Sequence, residues 1–451
     1  MSADVSARSV RQADGLDPVR ALQRVLYQSA KQDHERRFHA LYSHVARSDV
    51  LWRAWVDVAT NNGAPGVDGV RIDAIEADGV AGVRAFLDDL AAQLKAGTYR
   101  PKALRRVYIP KAGDPAGKAS RPLSIPAVAD RVVMAATKIV LEPIFEADFL
   151  PTSFGFRPKR STHQALEAVR QAANKGLVWV LDADIKSCFD EIGHDALVGL
   201  VERRVSDRRM LKLLRGWLRA GIFEGGVVSN MEAGTPQGSP LSPLLANIAL
   251  HLLDQEWANG GSGLGELCKY ADDFVVLCSS KARAEAARER AAAALAPLGL
   301  RLHPDKTRVI CLQRGEQGFD FLGFHHRMVE SLKWRGRYYL NKWPSNRAMA
   351  RIRAKVRERT PRRYASRDVR FVAEELNPVL RGWGNYYRWG NSNRKFQQID
   401  SYVHERLAML ASIKHALPHR RNWASRFDVA WLQRQGIYRL TGTVRRWPAN
   451  A

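Results

Sequence analysis

The stretch KYADDFVVL, Lys269 to Leu277, sets two adjacent carboxylates between two apolar runs. Leu267 and Tyr270 before the acids, and Phe274, Val275, Val276 and Leu277 after them, form the pattern of a hairpin packed on a core. Taken alone, the stretch also fits a plain surface turn, because Asp is a common turn residue. In the buried reading the two acids repel each other and are costly to desolvate unless a cation offsets them. A second acidic strand lies upstream: VWVLDADIKSCFDEI, Val178 to Ile192, with Asp182, Asp184 and Asp190. Asp182 and Asp184 share one face of an extended strand, and spacing does not choose between them. If this strand pairs with the hairpin, carboxylates from two strands converge at one point. Two Mg²⁺ ions require such convergent hard oxygen ligands, which they share with phosphates. A pair of these ions can activate a 3′-hydroxyl and stabilise departing pyrophosphate in an in-line displacement.

Working outward, residues 1–17 read as unstructured. From Pro18 to about Thr60 the spacing of Leu22, Val25, Leu26, Phe38, Leu41, Val45, Leu51, Trp55 and Val58 predicts successive helices. NNGAPGVDGV breaks them, and AGVRAFLDDLAAQLKAG resumes a helix. LRRVYIPKAGDPAGKASRPLSIP reads as two strands joined by a glycine-containing loop, and DRVVMAATKIVLEPIFEADF as a helix. GGSGLGE around Gly260 reads as a flexible loop; it lacks the Gly-Lys-Ser/Thr ending of a phosphate-cradling loop. Helices and strands mix without a regular βαβ repeat, which predicts an α+β fold. The last hundred residues read as mostly helical.

The charge is uneven. The 451 residues hold 71 Lys and Arg against 46 Asp and Glu, a net charge of +25. From Asn341 onward there are 24 Lys and Arg against 7 Asp and Glu, so the last quarter carries +17 of that total. These cations are interleaved with Trp343, Tyr364, Trp383, Tyr386, Tyr387, Trp389, Phe396 and Trp423, flat rings that can stack on bases. The combination points to a polyanionic partner, nucleic acid first. The four cysteines, Cys188, Cys268, Cys278 and Cys311, show no CxxC spacing and read as reduced core residues. His194 reads as a helix cap or packing residue. His325 and His326 have no acidic or Cys partner at ligand spacing, so neither is expected to hold zinc. No signal-peptide core or membrane-length apolar run is present, which predicts a cytoplasmic, nucleoid-associated protein with no membrane partner.

With YADD, DADIKSCFD and GTPQGSPLSPLLANIALHLLD (Gly234 to Asp254) in order along the chain, the sequence resembles bacterial group II intron-encoded reverse transcriptases, or maturases. GAPGVDGV, YRPKALRRVYIPK, SRPLSIPAVADRVV, FLPTSFGFRPKRSTHQAL, LGLRLHPDKTRV, FDFLGF and NPVLRGWGNYYRWGNSNRKFQQIDSYVHERL extend the likeness over roughly residues 20 to 445. Met134 stands where the family usually has Gln, and Ala183 and Ser187 where Gly is frequent. The resemblance implies a right-hand polymerase with an antiparallel palm sheet. It places an N-terminal extension at 18–100, fingers at 101–180, palm at 181–335 and a helical thumb or maturase domain at 336–412. A short basic DNA-binding tail would follow at 413–451, with no room for a zinc endonuclease domain.

The same likeness assigns roles. Asp184, Asp272 and Asp273 would be the catalytic metal ligands, holding two Mg²⁺ ions. Lys111, Arg121, Phe189, Gln237 and Lys306 would surround the incoming dNTP, Phe189 excluding a 2′-hydroxyl. Arg157, Phe321, Leu322 and Gly323 would contact primer and template. Arg381, Trp383, Tyr386, Tyr387, Arg394 and Lys395 would contact intron RNA. The implied function is RNA-directed DNA synthesis together with binding and splicing of a parent intron, with RNA template, DNA primer or target, and dNTPs as further partners. Two rival readings stay open: a related reverse transcriptase captured for phage defence, CRISPR adaptation or repair, and an RNA-binding splicing cofactor without polymerase activity. Nothing in the sequence commits the chain to an oligomeric state.

Overall fold

The structure is a computed structural model that describes residues 17–110, 120–224, 226–229, 233–234, 238–415 and 426–446. The expected disordered segment, the loop between the first two strands, and part of the basic tail therefore lie outside the described residues.

The N-terminal part is helical, as its apolar spacing predicts. Asp17 caps helix Pro18–Gln32, its carboxylate accepting from the Val19 amide at 3.1 Å, with Pro18 in the first turn. Helices Ser48–Asn61 and Gly79–Ala96 follow, each ending at a residue in the left-handed region, Asn62 or Gly97. They gather with helix Val128–Glu146, which is buried on nearly every side.

The strands are β1 (Leu104–Pro110), β2 (Ser120–Ile125), β3 (Trp179–Asp184), β4 (Ile222–Glu224), β5 (Val227–Ser229), β6 (Gly265–Tyr270), β7 (Asp273–Cys278), β8 (Arg308–Cys311), β9 (Gly318–Phe321), β10 (Phe324–Glu330) and β11 (Tyr338–Pro344). They form three sheets in the orders β2-β1-β4-β5, β6-β7-β3-β8 and β11-β10-β9. The middle sheet is antiparallel throughout. Its residues alternate between two hydrophobic cores. Leu181, Ala183, Phe274, Val276 and Cys278 face the larger, N-terminal core. Val180, Val275, Leu277 and Ile310 face a second core, built from helix Thr162–Asn174 and the C-terminal helices. Burial on both faces is why FVVLC is apolar without a break.

Three features add detail to the reading of the sequence. GGSGLGE holds a 3₁₀ turn at Gly261–Gly263, with Gly261 buried against the Trp257 ring. The basic C-terminal quarter opens with strand β11 before helices Asn346–Arg359, Val369–Tyr387 and Asn393–Lys414. Residue 336 falls in the turn between β10 and β11, whose strands pair on either side of it. Among the described residues, no helix is long and apolar enough to cross a membrane.

Candidate active site

In the β3–β7 register Asp184 stands opposite Asp273, and Asp182 opposite Val275. Side chains alternate along a strand, so Asp182, Asp184 and Asp273 prolong the face that Val180 and Val275 present to the second core. Asp272 lies in the two-residue turn between β6 and β7, after Ala271 at φ +57°. That left-handed value is uncommon for a residue with a Cβ and marks a tightly held turn.

The turn is held by the segment that follows helix Val128–Glu146. The Phe154 amide donates to the Lys269 carbonyl at 2.9 Å, and the Lys269 amide to the Thr152 carbonyl at 2.8 Å. Gly155 passes so close that a Cβ there would lie 2.3 Å from the Ala271 nitrogen. Buried Asn247, on helix Ser242–Ala258, donates to the Gly155 carbonyl at 2.9 Å. Lys269 points to the opposite face of the sheet, fully buried, with its ammonium 2.6 Å from Asp254 and 2.7 Å from the Leu250 carbonyl. Lys269 holds the Asp254 carboxyl below the usual carboxylate range despite burial.

The acids are unequal. Burial and the nearby Asp272, Asp184 and Asp182 push the Asp273 carboxyl up to about 7. Burial pushes Asp182 up to about 6, partly offset by Arg308 at 3.1 Å. Asp184 accepts from the Lys306 ammonium at 2.6 Å. Among the described residues no three His, Cys, Asp or Glu side chains are gathered closely enough to cage an ion. The donor set nonetheless fits a divalent cation: the groups are hard oxygens on rigid backbone, and burial together with the neighbouring carboxylates raises Asp273.

Asp184 and Lys306 lie where two clefts meet. One, of about 980 Å³, is bounded by Asp182, Asp273, Asp305, Asp320, Gly323 and the C-terminal helices. The other, of about 900 Å³, is bounded by Asp272, Phe189, Arg131, Leu123 and Gly238. Gly238, at φ +116°, packs so near β2 that a Cβ would lie 2.8 Å from the Ser124 carbonyl. Ser187, where a relative would often carry Gly, sits at φ +45°.

Residues 109–326 match the family described as reverse transcriptase (RNA-dependent DNA polymerase), and residues 349–428 the group II intron, maturase-specific domain. Protein YkfC of Escherichia coli K12 is 36% identical over 355 residues, covering 70% of this chain and 89% of YkfC. The chain belongs to the group II intron reverse transcriptase and maturase family. The intron-encoded protein LtrA of Lactococcus lactis is 37% identical over 240 residues, which cover 53% of this chain and 39% of LtrA. Among solved structures, a partial Cas6-RT-Cas1–Cas2 complex matches at 25% identity over 52% of this chain and 38% of that one, with a TM-score of 0.35. Membership implies a right-hand polymerase fold and dependence on divalent metal in general.

The remaining expectations for this reverse transcriptase divide. Lys111 and Gln237 lie outside the described residues, and Arg121 is described only as backbone on β2 opposite Ile109. Phe189 and Lys306 border the cleft with Asp272. Phe321 ends β9, Leu322 and Gly323 form the turn to β10, and all three line the larger cleft. Tyr386 donates to the Leu322 carbonyl at 2.8 Å, anchoring that turn to helix Val369–Tyr387.

Arg157 takes a different part from the expected primer contact. Its side chain is 3% exposed and is spent on Glu146 at 2.7 Å and on the carbonyls of Leu150, Ser153 and Phe149. It braces the segment that holds the acidic turn. Tyr386 and Tyr387 also differ from the expected RNA-stacking rings. Both pack on Phe324, with centroids 5.6 and 4.8 Å away, and Tyr387 is buried. Trp383 borders the larger cleft, Arg381 lies over the Tyr438 ring at 5.3 Å, and Arg394 is exposed with Lys395 half-buried beside it. His325 does have an acidic partner: the neighbouring strand brings Asp320 to 2.7 Å. His326 is fully buried against Phe319, and burial lowers its pKa well below the usual histidine range.

One set of residues escaped the sequence reading. Arg347, Arg351 and Lys355 border the larger cleft from helix Asn346–Arg359. Their spacing of four was visible in NRAMARIRAKVRER as one basic helical stripe.

Proposed function

We propose that this chain copies RNA into DNA as a group II intron reverse transcriptase and binds its parent intron RNA to assist splicing and mobility. The observation that carries the reading is the pairing of Asp184 with Asp273 across β3 and β7, beside the turn that bears Asp272. In this reading the middle sheet is the palm, β1 and β2 belong to the fingers, and the helices from Asn346 onward form the thumb and maturase domain.

Asp184, Asp272 and Asp273 would hold the divalent ions, Mg²⁺ by their hard oxygen chemistry. Such ions, when bound, lower the barrier to phosphoryl transfer by stabilising the attacking and leaving oxygens. Lys306, now on Asp184, is free to turn to a triphosphate once a cation takes its place. Phe189 supports discrimination against ribonucleotides from the smaller cleft, and Arg347, Arg351 and Lys355 support a phosphate track for the duplex in the larger one. Leu322 and Gly323 would position the primer end.

Extension of a DNA primer on an RNA template with dNTPs and Mg²⁺ tests the reading. Asp272→Ala and Asp184→Ala are each expected to lower the rate about a thousandfold or more, as loss of several kcal/mol of charge stabilisation requires. RNA affinity should be retained in both. Full activity in Asp272→Ala would reject the site, and absence of RNA binding by the unaltered chain would reject the intron partner.

A further inference from the structure

The β10–β11 hairpin leaves the larger cleft at Gly323 and returns to it at Ser345. Seven-residue strands carry its turn about 20 Å away from that cleft, at ~3.3 Å per residue. The turn, SLKWRGR at residues 331–337, falls between the two segments that match known families.

This turn is well built. The Ser331 amide donates to the Arg337 carbonyl at 2.8 Å, and the Ser331 hydroxyl accepts from the Lys333 and Trp334 amides at 3.3 and 3.2 Å. The Gly336 amide donates to Glu330 at 2.7 Å. Yet this ordered turn presents Leu332 fully exposed and Trp334 at 49% exposure. The Lys333 ammonium lies 4.9 Å from the Trp334 ring centroid and the Arg337 guanidinium carbon 5.9 Å from it. Arg335 adds a third cation, and Glu330, the acid that precedes the turn in the sequence, accepts from the turn itself. An exposed indole with two cations at its ring and a third beside it in the sequence matches a strand whose bases are unstacked and whose phosphates are anionic. A duplex offers only the phosphates, because its base faces are already covered.

We propose that this tip binds an unpaired nucleic-acid strand, with Trp334 stacking on a base and Lys333, Arg335 and Arg337 neutralising phosphates. The site is separate from the acidic centre and does not depend on catalysis there. An RNA strand and a displaced DNA strand offer the same chemistry, and the measurement distinguishes them.

Fluorescence anisotropy of the full chain with a single-stranded RNA, a single-stranded DNA and a blunt duplex, across a salt series, tests the proposal. Trp334→Ala should weaken single-strand binding about tenfold, the scale of one lost stacking contact. Trp334→Phe should restore most of it, and duplex affinity should stay unchanged in both variants. Combined Lys333→Ala, Arg335→Ala and Arg337→Ala should flatten the slope of log affinity against log salt by about 2, at ~0.7 per phosphate on a single strand. Weakening on RNA alone, DNA alone or both supports the tip and names its strand. Single-strand affinity unchanged in Trp334→Ala overturns the proposal, as does an equal loss on the duplex. Loss of self-association or of binding to anionic vesicles, with single-strand affinity intact, overturns it in favour of a protein or lipid partner. If Trp334→Ala fails to fold, the salt slope of the triple variant decides. Incorporation of one nucleotide on a short primer should be unaffected by any of these changes, so failure at the tip and failure of the polymerase reading are separable.

Discussion

Lys269 precedes Asp272 by three residues, yet its charge serves the other side of the sheet. Its ammonium and Asp254 form a fully buried pair that fastens β6 to helix Ser242–Ala258. Lys269→Met should cost about 3–5 kcal/mol, because it leaves Asp254 buried without its cation. The double variant Lys269→Met with Asp254→Leu should recover most of that loss, and denaturant melts of the set measure the coupling. A cation beside YADD in the sequence invites a role at the acids; only the alternation of the strand assigns it elsewhere. Asp273 has the opposite problem, an acid among acids. Its carboxyl, pushed up to about 7, binds a proton more tightly folded than unfolded. Its contribution to stability is therefore greatest below the ordinary carboxylate range and is lost as pH rises through about 7. Asp182, at about 6, acts in the same direction. A divalent cation bound to the ionised acids reverses the loss, so Mg²⁺ should raise the melting temperature by about 2–4 °C at pH 8 and by much less at pH 5.5. Calorimetry at both pH values checks this, and equal shifts would place the ion away from these carboxylates.

Among the elements, the β6–β7 hairpin depends on a neighbour remote from it in the chain. Gly155→Ala sets a methyl 2.3 Å from the Ala271 nitrogen, and backbone must move to admit it. The expected cost is about 1–3 kcal/mol. Primer extension should fall with it, since the displaced turn carries Asp272; a variant that melts early yet extends at the normal rate would show that the turn tolerates movement. The strands and hairpin themselves were legible, because their apolar runs are bounded by turn residues and their acids stand out against them. The support was not: nothing in SFGFRPKR distinguishes an arginine that reaches nucleic acid from Arg157, which is enclosed by carbonyls. Tyr387 was closer to legible. It continues the buried stripe of Val369, Val372, Ala373, Leu376 and Leu380, so helical spacing marks it as core even though arginines surround it in sequence.

Across the whole molecule, charge was readable from composition, the mixture of helix and sheet from apolar patterning, and the family from ordered blocks. The joining of the two cores was not, since it depends on contacts between segments more than a hundred residues apart. The excess of +17 in the last quarter faces a proposed polyanion. Affinity for structured RNA should fall about a thousandfold or more between 50 and 200 mM salt if six or more phosphates are neutralised. Filter binding measures that slope, and a flat profile would remove the basic helices from the contact surface.

The middle sheet is a party wall: Val180, Val275 and Leu277 share one buried core with helix Thr162–Asn174 and with C-terminal residues such as Met349, Val372 and Leu376. A fragment truncated after the polymerase match, at residue 326, would remove the C-terminal share of that core and leave its remaining apolar side chains exposed and prone to clumping. Separate expression of the two halves is thus a poor route to soluble material, and insertion or deletion between them is constrained by the masonry they share.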